Sequence, residues 1–418
     1  MNLWLLVWNY LKARPLNTAL NIFLLGLGIA VVTILIIFNY QLHEKITANA
    51  RGIDLVVGAK GSPMQLILCN IFHVDFPTGN IRLNEAERIA KNRLVKRSIP
   101  MALGDSYNGF RIIGTTRAYA EIYGATLSDG AWWDKPMEVT LGSAVAEALK
   151  LPLGSHFTSN HGLTQPGHAH EEQAFIVKGV LDRNNTVLDN LILTSVESIW
   201  HVHEVHDPES SADSVTEIDS ASRIASPLVP SAALGDSTKE ITSLLIQYRS
   251  AMGALQLPRL INGQSSLQAA SPAFETARLF SILGVGVNII KGFATILIFI
   301  SALSIFIALY NSLKERKYDL AIMRSMGASK SKIFFSVLLE GSLMTFLGTC
   351  FGLALAHGVL FLLPFFMDEA QKSGIRGGVF YPEEGMILAA SLLLGIVCAL
   401  LPAWQAYRTD ISKVLAGN

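Results

Sequence analysis

The chain reads KERKYDLAIMRSMGASKSKIF at Lys314–Phe334, a charged segment between two long apolar ones. Gly292–Leu313 before it carries no charge, and Phe334–Met367 after it carries one carboxylate, Glu340, and one histidine. Basic residues that join two membrane-length helices are retained on the cytoplasmic side of a membrane. The stretch therefore predicts a membrane protein, and it also predicts the orientation of its helices.

The same segment has the pattern of a short amphipathic helix. Apolar residues recur at helical spacing, with Lys and Arg between them. Gly327 and Ala328 are typical of a helix end, and Ser329 is typical of the N-cap of the next helix. We expect a helix in the membrane surface followed by a turn into the next span. A loop that only obeys the positive-inside rule is the alternative.

The composition fits a membrane protein with one large soluble part. Of 418 residues, 50% are hydrophobic and 16% are charged, and the formal net charge is zero. The apolar excess lies near the two ends, as expected for a few spans around a soluble middle. A neutral chain without a basic stripe argues against a nucleic-acid partner. Three cysteines exclude a disulfide framework, so we expect unpaired thiols.

Four segments are long and apolar enough to cross a membrane. Lys12 and Arg14 precede the first, which we interpret as an uncleaved anchor, and Arg408 follows the fourth. Since Lys and Arg stay on the cytoplasmic side, both termini are expected there, in a cell inner membrane. The predicted organisation is an interfacial amphipathic helix at 1–15, membrane helices at 16–40, 281–313 (with an outer stalk), 333–366 and 386–403, a periplasmic α+β domain at 41–280, a cytoplasmic helix at 314–332, a periplasmic loop at 367–385 and a cytoplasmic tail at 404–418.

The predicted fold class is a multi-pass α-helical membrane protein with four transmembrane helices and a large α+β extracytoplasmic domain inserted between helices 1 and 2. In that domain, strand-like runs such as Ile53–Gly58 and Leu191–Thr194 alternate with helical ones. Asn84, with Glu87 three residues later, predicts the N-cap of a helix over 84–95. Residues 207–240 are rich in Ser, Ala, Asp and Pro and predict a flexible insertion.

Two ionisable residues lie inside the third span. A carboxylate is costly in the bilayer interior, so Glu340 is expected to face the helix bundle or to reach the headgroups. His357 is expected to make a buried polar contact. Two such residues are too few to indicate an ion or proton path.

A histidine-rich region is the main chemical feature of the domain. Imidazole and carboxylate side chains are ligands for zinc and other first-row divalent metals. The spacing matches neither a closed structural zinc finger nor an H-E-x-x-H helix, so weak zinc binding and a solvated polar loop both remain open. The candidate metal ligands are His161, His168, His170, His201 and His203.

The chain has no motif for nucleotide hydrolysis or for a serine nucleophile. Neither G-x-x-x-x-G-K-[ST] nor G-x-S-x-G occurs in it. We therefore expect a non-catalytic subunit without a cofactor of its own. If it does energy-driven work, another polypeptide must supply the ATP.

Four segments carry a resemblance to a known family. They are Arg14–Leu20 (RPLNTAL), Arg316–Ser329 (RKYDLAIMRSMGAS), Glu340-Gly341 and Pro402–Arg408 (PAWQAYR). These segments resemble the entry to the first span, the coupling region, the third span and the closing P-A-x-x-A-x-R pattern of the MacB/FtsX-type (type VII) ABC transporter permeases. The resemblance covers the membrane region well and is only general in the domain.

This resemblance implies the partners and the site. It implies a homodimer, or a heterodimer of similar chains, bound to a cytoplasmic ABC ATPase subunit that holds the ATP. Segment 314–332 would then be the coupling helix, and membrane lipid and a periplasmic protein would be further partners. The residues expected to couple to the ATPase are Arg316, Asp319, Arg324, Gly327 and Ala328.

Three functional hypotheses follow. The first is a permease subunit that transmits ATP-driven motion to its periplasmic domain, for export or extraction of a substrate. The histidines favour a metal-linked substrate. The second is an FtsX-like signalling subunit that activates a periplasmic partner without transport. A membrane-anchored metalloenzyme is the third, and only the histidines favour it.

Overall fold

The computed structural model describes residues 3–160, 169–204, 239–366 and 376–408, and the statements below refer to those residues. The chain divides into two compact units. The membrane unit comprises Met1–His43 and Ser281–Asn418, and the domain unit comprises Glu44–Phe280. The predicted fold class is confirmed, since a mixed α/β domain lies between the first and second long apolar helices.

The helices of the described residues range from short domain helices to long apolar ones. They are α1 (Leu3–Ala13), α2 (Pro15–Asn49), α3 (Pro63–Asn70), α4 (Leu83–Ala90), α5 (Arg117–Ile122), α6 (Ser143–Leu149), α7 (Val196–Glu204), α8 (Ala251–Gln264), α9 (Pro272–Glu315), α10 (Lys317–Ser325), α11 (Lys330–Phe366) and α12 (Pro382–Arg408). By length and composition, α2, α9, α11 and α12 can each cross a membrane.

Small residues let the long helices pack closely. A Cβ atom at Gly341 of α11 would lie 2.8 Å from the Cβ of Ala399 on α12, and one at Gly395 would lie within contact distance of the Thr345 side chain. At Gly352, a Cβ would lie 2.6 Å from the Gly26 carbonyl oxygen of α2. Such close approach replaces the hydrophobic effect, which is weak between helices in lipid.

Polar side chains also join the membrane helices. Ser304 of α9 donates to Asn21 Oδ1 of α2 at 2.6 Å, and Thr349 of α11 donates to Ser391 of α12 at 2.6 Å. Each bond satisfies groups that lipid could not. The four helices are therefore held together by both small-residue packing and internal hydrogen bonds.

The domain unit is built on one mixed sheet. Its strands are β1 (Leu55–Ala59), β3 (Val95–Tyr107), β4 (Phe110–Gly114), β5 (Leu127–Gly130), β6 (Glu138–Leu141), β7 (His156–Asn160), β8 (Ala169–Leu181), β9 (Leu191–Thr194), β11 (Ser243–Tyr248) and β12 (Leu267–Ala270). The order is β12-β1-β11-β3-β4-β9-β6-β8-β5, with β7 between β3 and β8. The β4–β9 and β6–β8 pairs are parallel, and the other pairs are antiparallel. The remaining strands, β2 (Ile81–Arg82) and β10 (Glu240–Ile241), form a separate antiparallel pair.

Two apolar clusters fill the domain. Leu55 and Phe175 belong to one, whereas Val56 and Tyr119 belong to the other. Every residue of β9 is buried, because both faces of the central sheet are covered. The predicted strand at Leu191–Thr194 is confirmed at the same residues.

The predicted N-cap at Asn84 is wrong. Helix α4 begins at Leu83 after Arg82, without a side-chain cap. The Leu83 amide donates instead to the Lys239 carbonyl at 3.0 Å. Because β2 pairs with β10 immediately before this point, the strand pairing sets the start of the helix. Residues 207–238 of the predicted insertion lie outside the described residues.

The last turn of α2 belongs to the domain unit. Tyr123 donates its hydroxyl proton to the Asn49 carbonyl at 2.6 Å, and the Val187 amide donates to Asn49 Oδ1 at 3.0 Å. All three residues belong to the domain unit, so these bonds fix Asn49 within that unit.

Candidate functional site

Helix α10 carries one face that packs on its own chain. Leu320 and Ala321 are buried on this face. Leu320 lies in a cluster with residues from α9, α11 and α12. The other buried members of this cluster are Leu313, Ile333, Val337, Ala403 and Ala406. The packing holds the helix that follows α9 against the ends of α11 and α12.

The other face of α10 carries exposed apolar side chains. Tyr318 is 58% exposed, Ile322 is 38% exposed and Met326 is 82% exposed. Residues four apart share one side of a helix, so the three side chains form a row, which we call the α10 stripe. Asp319, beside the row, is also exposed. An apolar row on a charged helix is a surface that a second protein can cover.

The end of α10 follows the sequence prediction closely. Gly327 has φ +96°, a left-handed conformation that disfavours any residue with a Cβ. The Ala328 amide donates to the Met323 carbonyl at 3.0 Å, which closes the helix. Ser329 Oγ accepts from the Lys332 amide at 3.3 Å, so the predicted N-cap of α11 is confirmed.

Arg316 lies between α9 and α10 and points into the bundle. Its Nη1 lies 3.5 Å from Glu340 Oε2 of α11, and the two side chains are 13% and 8% exposed. The guanidinium carbon lies 3.7 Å from the ring centroid of Tyr10 on α1. This arrangement joins three helices through one cation. Glu340 thus faces the helix bundle, which is one of the two placements that the sequence predicts.

The five residues predicted to couple to an ATPase have different surroundings. Asp319 is exposed beside the α10 stripe, Arg324 is half-buried, and Arg316 is held by Glu340 within the same chain. Gly327 and Ala328 end the helix. Their contact with an ATPase stays a prediction, and the α10 stripe itself was not recognised, because the sequence pattern does not say which apolar residues the chain covers.

The closing PAWQAYR motif forms the last two turns of α12. Pro402, Ala403 and Ala406 are buried, and Ala403 and Ala406 contact the cluster that holds α10. On the other side, Trp404 stacks on Tyr407 with ring centroids 6.2 Å apart. The small residues Ala403 and Ala406 therefore allow α12 to pack closely on this cluster.

A second polar cluster lies at the other ends of these helices. His357 of α11 contacts the Gly377 carbonyl at 2.5 Å through Nδ1 and Glu384 Oε2 at 3.0 Å through Nε2. The Gln41 side chain of α2 bonds both backbone groups of Arg376, at 2.7 and 2.8 Å. The predicted polar contact of His357 is confirmed, and the segment before α12 is tied to α2 and α11.

For four of the five predicted zinc ligands, the side chain lies outside the described part of the chain. His161 and His168 lie outside the described residues, and His170 lies on β8 and His203 on α7 with side chains outside the description. His201 is exposed on α7. Among the residues that the structure describes, no three His, Cys, Asp or Glu side chains are grouped to hold a metal ion. Zinc binding stays a prediction.

The domain also contains a buried group of titratable side chains. His73 Nε2 lies 2.9 Å from the Tyr119 hydroxyl, and Arg111 Nη1 lies 3.7 Å from Cys69 Sγ. Desolvation, helped by the nearby Arg111 charge, lowers the pKa of His73 to about 3. Burial raises the pKa of the Cys69 thiol to about 11, so this cysteine is a protonated core residue.

Comparison with known families identifies the chain. Residues 18–227, half of the chain, match the profile of the MacB-like periplasmic core domain. Residues 291–411, which include α10, α11 and α12, match the FtsX-like permease C-terminal profile. The chain belongs to the MacB/FtsX-type family of ABC transporter permeases. Its predicted family is thereby confirmed.

Curated relatives match over shorter stretches. The "Macrolide export ATP-binding/permease protein MacB" of Chromobacterium violaceum is 29% identical over 105 residues, which are 25% of this chain and 16% of that protein. The "ABC transporter permease YtrF" of Bacillus subtilis is 28% identical over 130 residues, which are 29% of this chain and 30% of that protein. The chain thus spans less than a third of the length of either relative.

Two solved structures are similar at a low level. The periplasmic region of MacB from Actinobacillus actinomycetemcomitans matches with a TM-score of 0.33 and 12% identity, over 56% of this chain and 97% of that one. The extracellular domain of the noncanonic ABC-type transporter YknZ from Gram-positive bacteria matches with a TM-score of 0.29 and 13% identity, over 52% and 99% of the two chains. At these scores the likeness adds nothing to the family assignment.

Proposed function

We propose that this chain is the membrane subunit of an ABC transporter that takes its energy from a separate ATPase. The ATPase binds the α10 stripe on the cytoplasmic side. Movement of α10 then shifts the helices packed on it, and the shift reaches the inserted domain, which acts on the substrate. The permease itself carries out no ATP chemistry, in keeping with the missing nucleotide-binding motif.

The α10 stripe carries this proposal. Leu320 and Ala321 pack against the rest of the chain and hold α10 in place. The exposed side chains of Tyr318 and Ile322 therefore lie on a fixed helix and not on a free loop. An anchored helix passes a push to its neighbours as a rigid body. Burial of exposed aromatic and aliphatic side chains in a partner's groove also supplies binding energy.

The charge distribution supports a cytoplasmic position for α10. Lys12 and Arg14 precede α2, Lys330 and Lys332 begin α11, and Arg408 ends α12. With four crossing helices these residues share one side of the membrane, where Lys and Arg are retained. The inserted domain then lies on the opposite side.

A second copy of the chain is the proposed partner within the membrane. Helix α9 exposes a row of large apolar side chains at alternating steps of three and four residues, a period that keeps one face of two helices in contact along their length. Lipid contact alone requires no such period. The row consists of Ile289, Phe293, Ile296, Ile300, Leu303, Ile307 and Tyr310.

A substitution in the α10 stripe tests the ATPase contact. Ile322→Asp places a carboxylate in the apolar row while Leu320 and Ala321 keep the helix in place. We expect the amount of ATPase that co-purifies with the chain from native membranes to fall about 10- to 100-fold, as for loss of a central apolar contact. Co-purification is measured by quantitative mass spectrometry.

Ser331→Asp is the matched control. Ser331 is exposed in the first turn of α11, outside the α10 stripe, and the substitution adds the same charge. The control should retain the ATPase. Equal recovery of ATPase with Ile322→Asp and with the wild type would contradict the proposed contact.

The purified complex also separates transport from signalling. Stimulation of ATP hydrolysis by a candidate cargo supports transport. Stimulation only by a protein of the opposite compartment supports the FtsX-like alternative. A metal-linked cargo stays a proposal that rests on the histidine-rich sequence.

A further inference from the structure

We propose that Arg316 is a positioning residue that fixes the corner between α9 and α10, and that it makes no contact with the ATPase. Arg316, Glu340 and Tyr10 together form what we call the corner clamp. Only one part of this inference rests on the proposed function: the effect of Arg316 on how ATPase binding moves the helices. The clamp itself is a property of the folded chain.

The clamp is largely shielded from solvent, and all three of its residues belong to one chain. The Arg316 and Glu340 side chains are 13% and 8% exposed and lie 3.5 Å apart at Nη1 and Oε2. The Tyr10 ring covers the guanidinium from α1 at 3.7 Å. A cation with a carboxylate beside it and an aromatic face over it has little surface left for a second protein.

Its place in the chain gives the clamp its effect. Arg316 is the one residue between the end of α9 at Glu315 and the start of α10 at Lys317. Its backbone still makes helical hydrogen bonds, from its amide to the Ser312 carbonyl at 3.1 Å and from the Leu320 amide to its carbonyl at 3.0 Å. Its dihedral angles, φ −94° and ψ 10°, depart from helical values and interrupt the helix at this residue. The Arg316 side chain therefore ties this interruption, the bend, to α1 and α11.

The clamp region is too small to be a ligand site. The crevice beside it has a volume of about 20 Å³, and Tyr10, Ser312 and Glu340 are among its lining residues. Such a volume holds about one water molecule. The ion pair therefore has a structural role. Moving α10 away would leave Arg316 and Glu340 as unpaired charges with little solvent, so the pair favours a single orientation of α10.

The corner clamp determines which helices move together with α10. With the clamp intact, a displacement of α10 carries α1 and α11 with it. With the clamp removed, α10 is held only by its apolar face, and it can tilt without moving α11. The clamp thus converts ATPase binding into a shift of the bundle.

Hydrogen exchange of the full-length chain in lipid nanodiscs tests the clamp without an ATPase. The decisive variant is the double substitution Arg316→Met with Glu340→Leu, which removes both charges and leaves no stranded ion. We expect amides of Lys317–Ser325 to exchange about tenfold faster than in the wild type, while amides of Thr345–Ala356 in α11 keep their rate. Unchanged exchange of Lys317–Ser325 would overturn the proposal.

Two single substitutions complete the set. Arg316→Lys keeps the charge, and we expect exchange of Lys317–Ser325 within about threefold of the wild-type rate. Lys317→Gln removes an exposed positive charge one residue away and should leave the rate unchanged. If Lys317→Gln accelerated exchange as much as the double variant, net charge rather than the clamp would control α10, and the proposal would fail.

A second readout separates this proposal from the proposed function. In complexes with the co-purifying ATPase, the double variant should still bind the ATPase but lose at least about 80% of the ATP hydrolysis of the wild-type complex, measured with ATP and Mg²⁺ alone. Loss of ATPase binding would show that Arg316 acts in docking and would overturn the positioning role. If the wild-type chain binds no ATPase, the proposed function fails, while hydrogen exchange still decides whether the clamp exists.

Discussion

Arg316 and Asp319 are three residues apart, yet their side chains meet different surroundings. The Arg316 cation is enclosed by Tyr10 and Glu340, whereas Asp319 is exposed beside the α10 stripe. The local sequence does not indicate which of these two charged side chains is enclosed. The distinction depends on α1 and α11, which contribute the enclosing side chains from distant parts of the chain.

The protonation of His73 gives a prediction at the same scale. The pKa of His73 falls from 6.5 to about 3 on folding, because the domain desolvates the imidazole and Arg111 is close. As the pH falls below 6.5, His73 binds a proton in the unfolded chain but stays neutral in the folded domain. The stability that neutral His73 permits is therefore present above pH 6.5 and is lost as the pH falls toward 3.

We expect the domain to lose about 2 kcal/mol of unfolding free energy between pH 7 and pH 5 from this residue. Urea titration of the full-length chain, followed by circular dichroism, measures the change. His73→Gln should reduce the dependence on pH. His156→Gln, a substitution at an exposed histidine of β7, should keep it. The same dependence in both variants would show that His73 is not responsible.

Among the elements, α11 contacts several of the other membrane helices. It packs closely on α12 at Gly341, on α2 at Gly352, and on the corner between α9 and α10 through Glu340. Its opposite end is bonded through His357 to the segment before α12. A stiff helix held at both ends is well placed to carry a displacement along its axis.

Two glycines of α11 offer a matched test of this packing. At Gly341 a Cβ would lie 2.8 Å from Ala399 Cβ and 3.1 Å from the Gly395 carbonyl, whereas at Gly358 it would meet no atom within 4 Å. Gly341→Ala should destabilise the membrane unit by about 1–3 kcal/mol through overpacking. Gly358→Ala should be neutral or slightly stabilising, because Ala is the better helix former.

Unfolding in mixtures of sodium dodecyl sulfate and dodecyl maltoside measures both variants. An equal effect of the two substitutions would mean that the helix interface tolerates a methyl group at Gly341. The α11–α12 contact would then be looser than described.

The elements also show what sequence patterns can predict. The long apolar runs, the Gly327 helix end, the Ser329 cap and the strand at Leu191–Thr194 depend on local residue types, and each is found where it was expected. The Asn84 cap failed because pairing of β2 with β10, 158 residues away between Arg82 and Glu240, sets the helix start. The partner of Glu340 was not predicted for the same reason, since contacts across the chain leave no local pattern.

At the scale of the whole molecule, the two units have separate apolar cores. The domain unit matches the MacB-like core-domain profile, and most of the membrane unit matches the FtsX-like permease profile. We propose that the α10 stripe and the exposed row on α9 give this molecule its two partners, an ATPase and a second copy of the chain. Both surfaces became visible only when the structure separated exposed apolar residues from buried ones.

Native mass spectrometry of the complex, purified from its own membranes through a tag on this chain, measures which subunits the chain binds and in what number. We expect an assembly of two copies of the chain and two copies of a nucleotide-binding ATPase subunit. The ATPase should be absent, and the two copies of the chain retained, when the tagged chain carries Ile322→Asp. Recovery of the wild-type chain without any ATPase subunit would contradict the account.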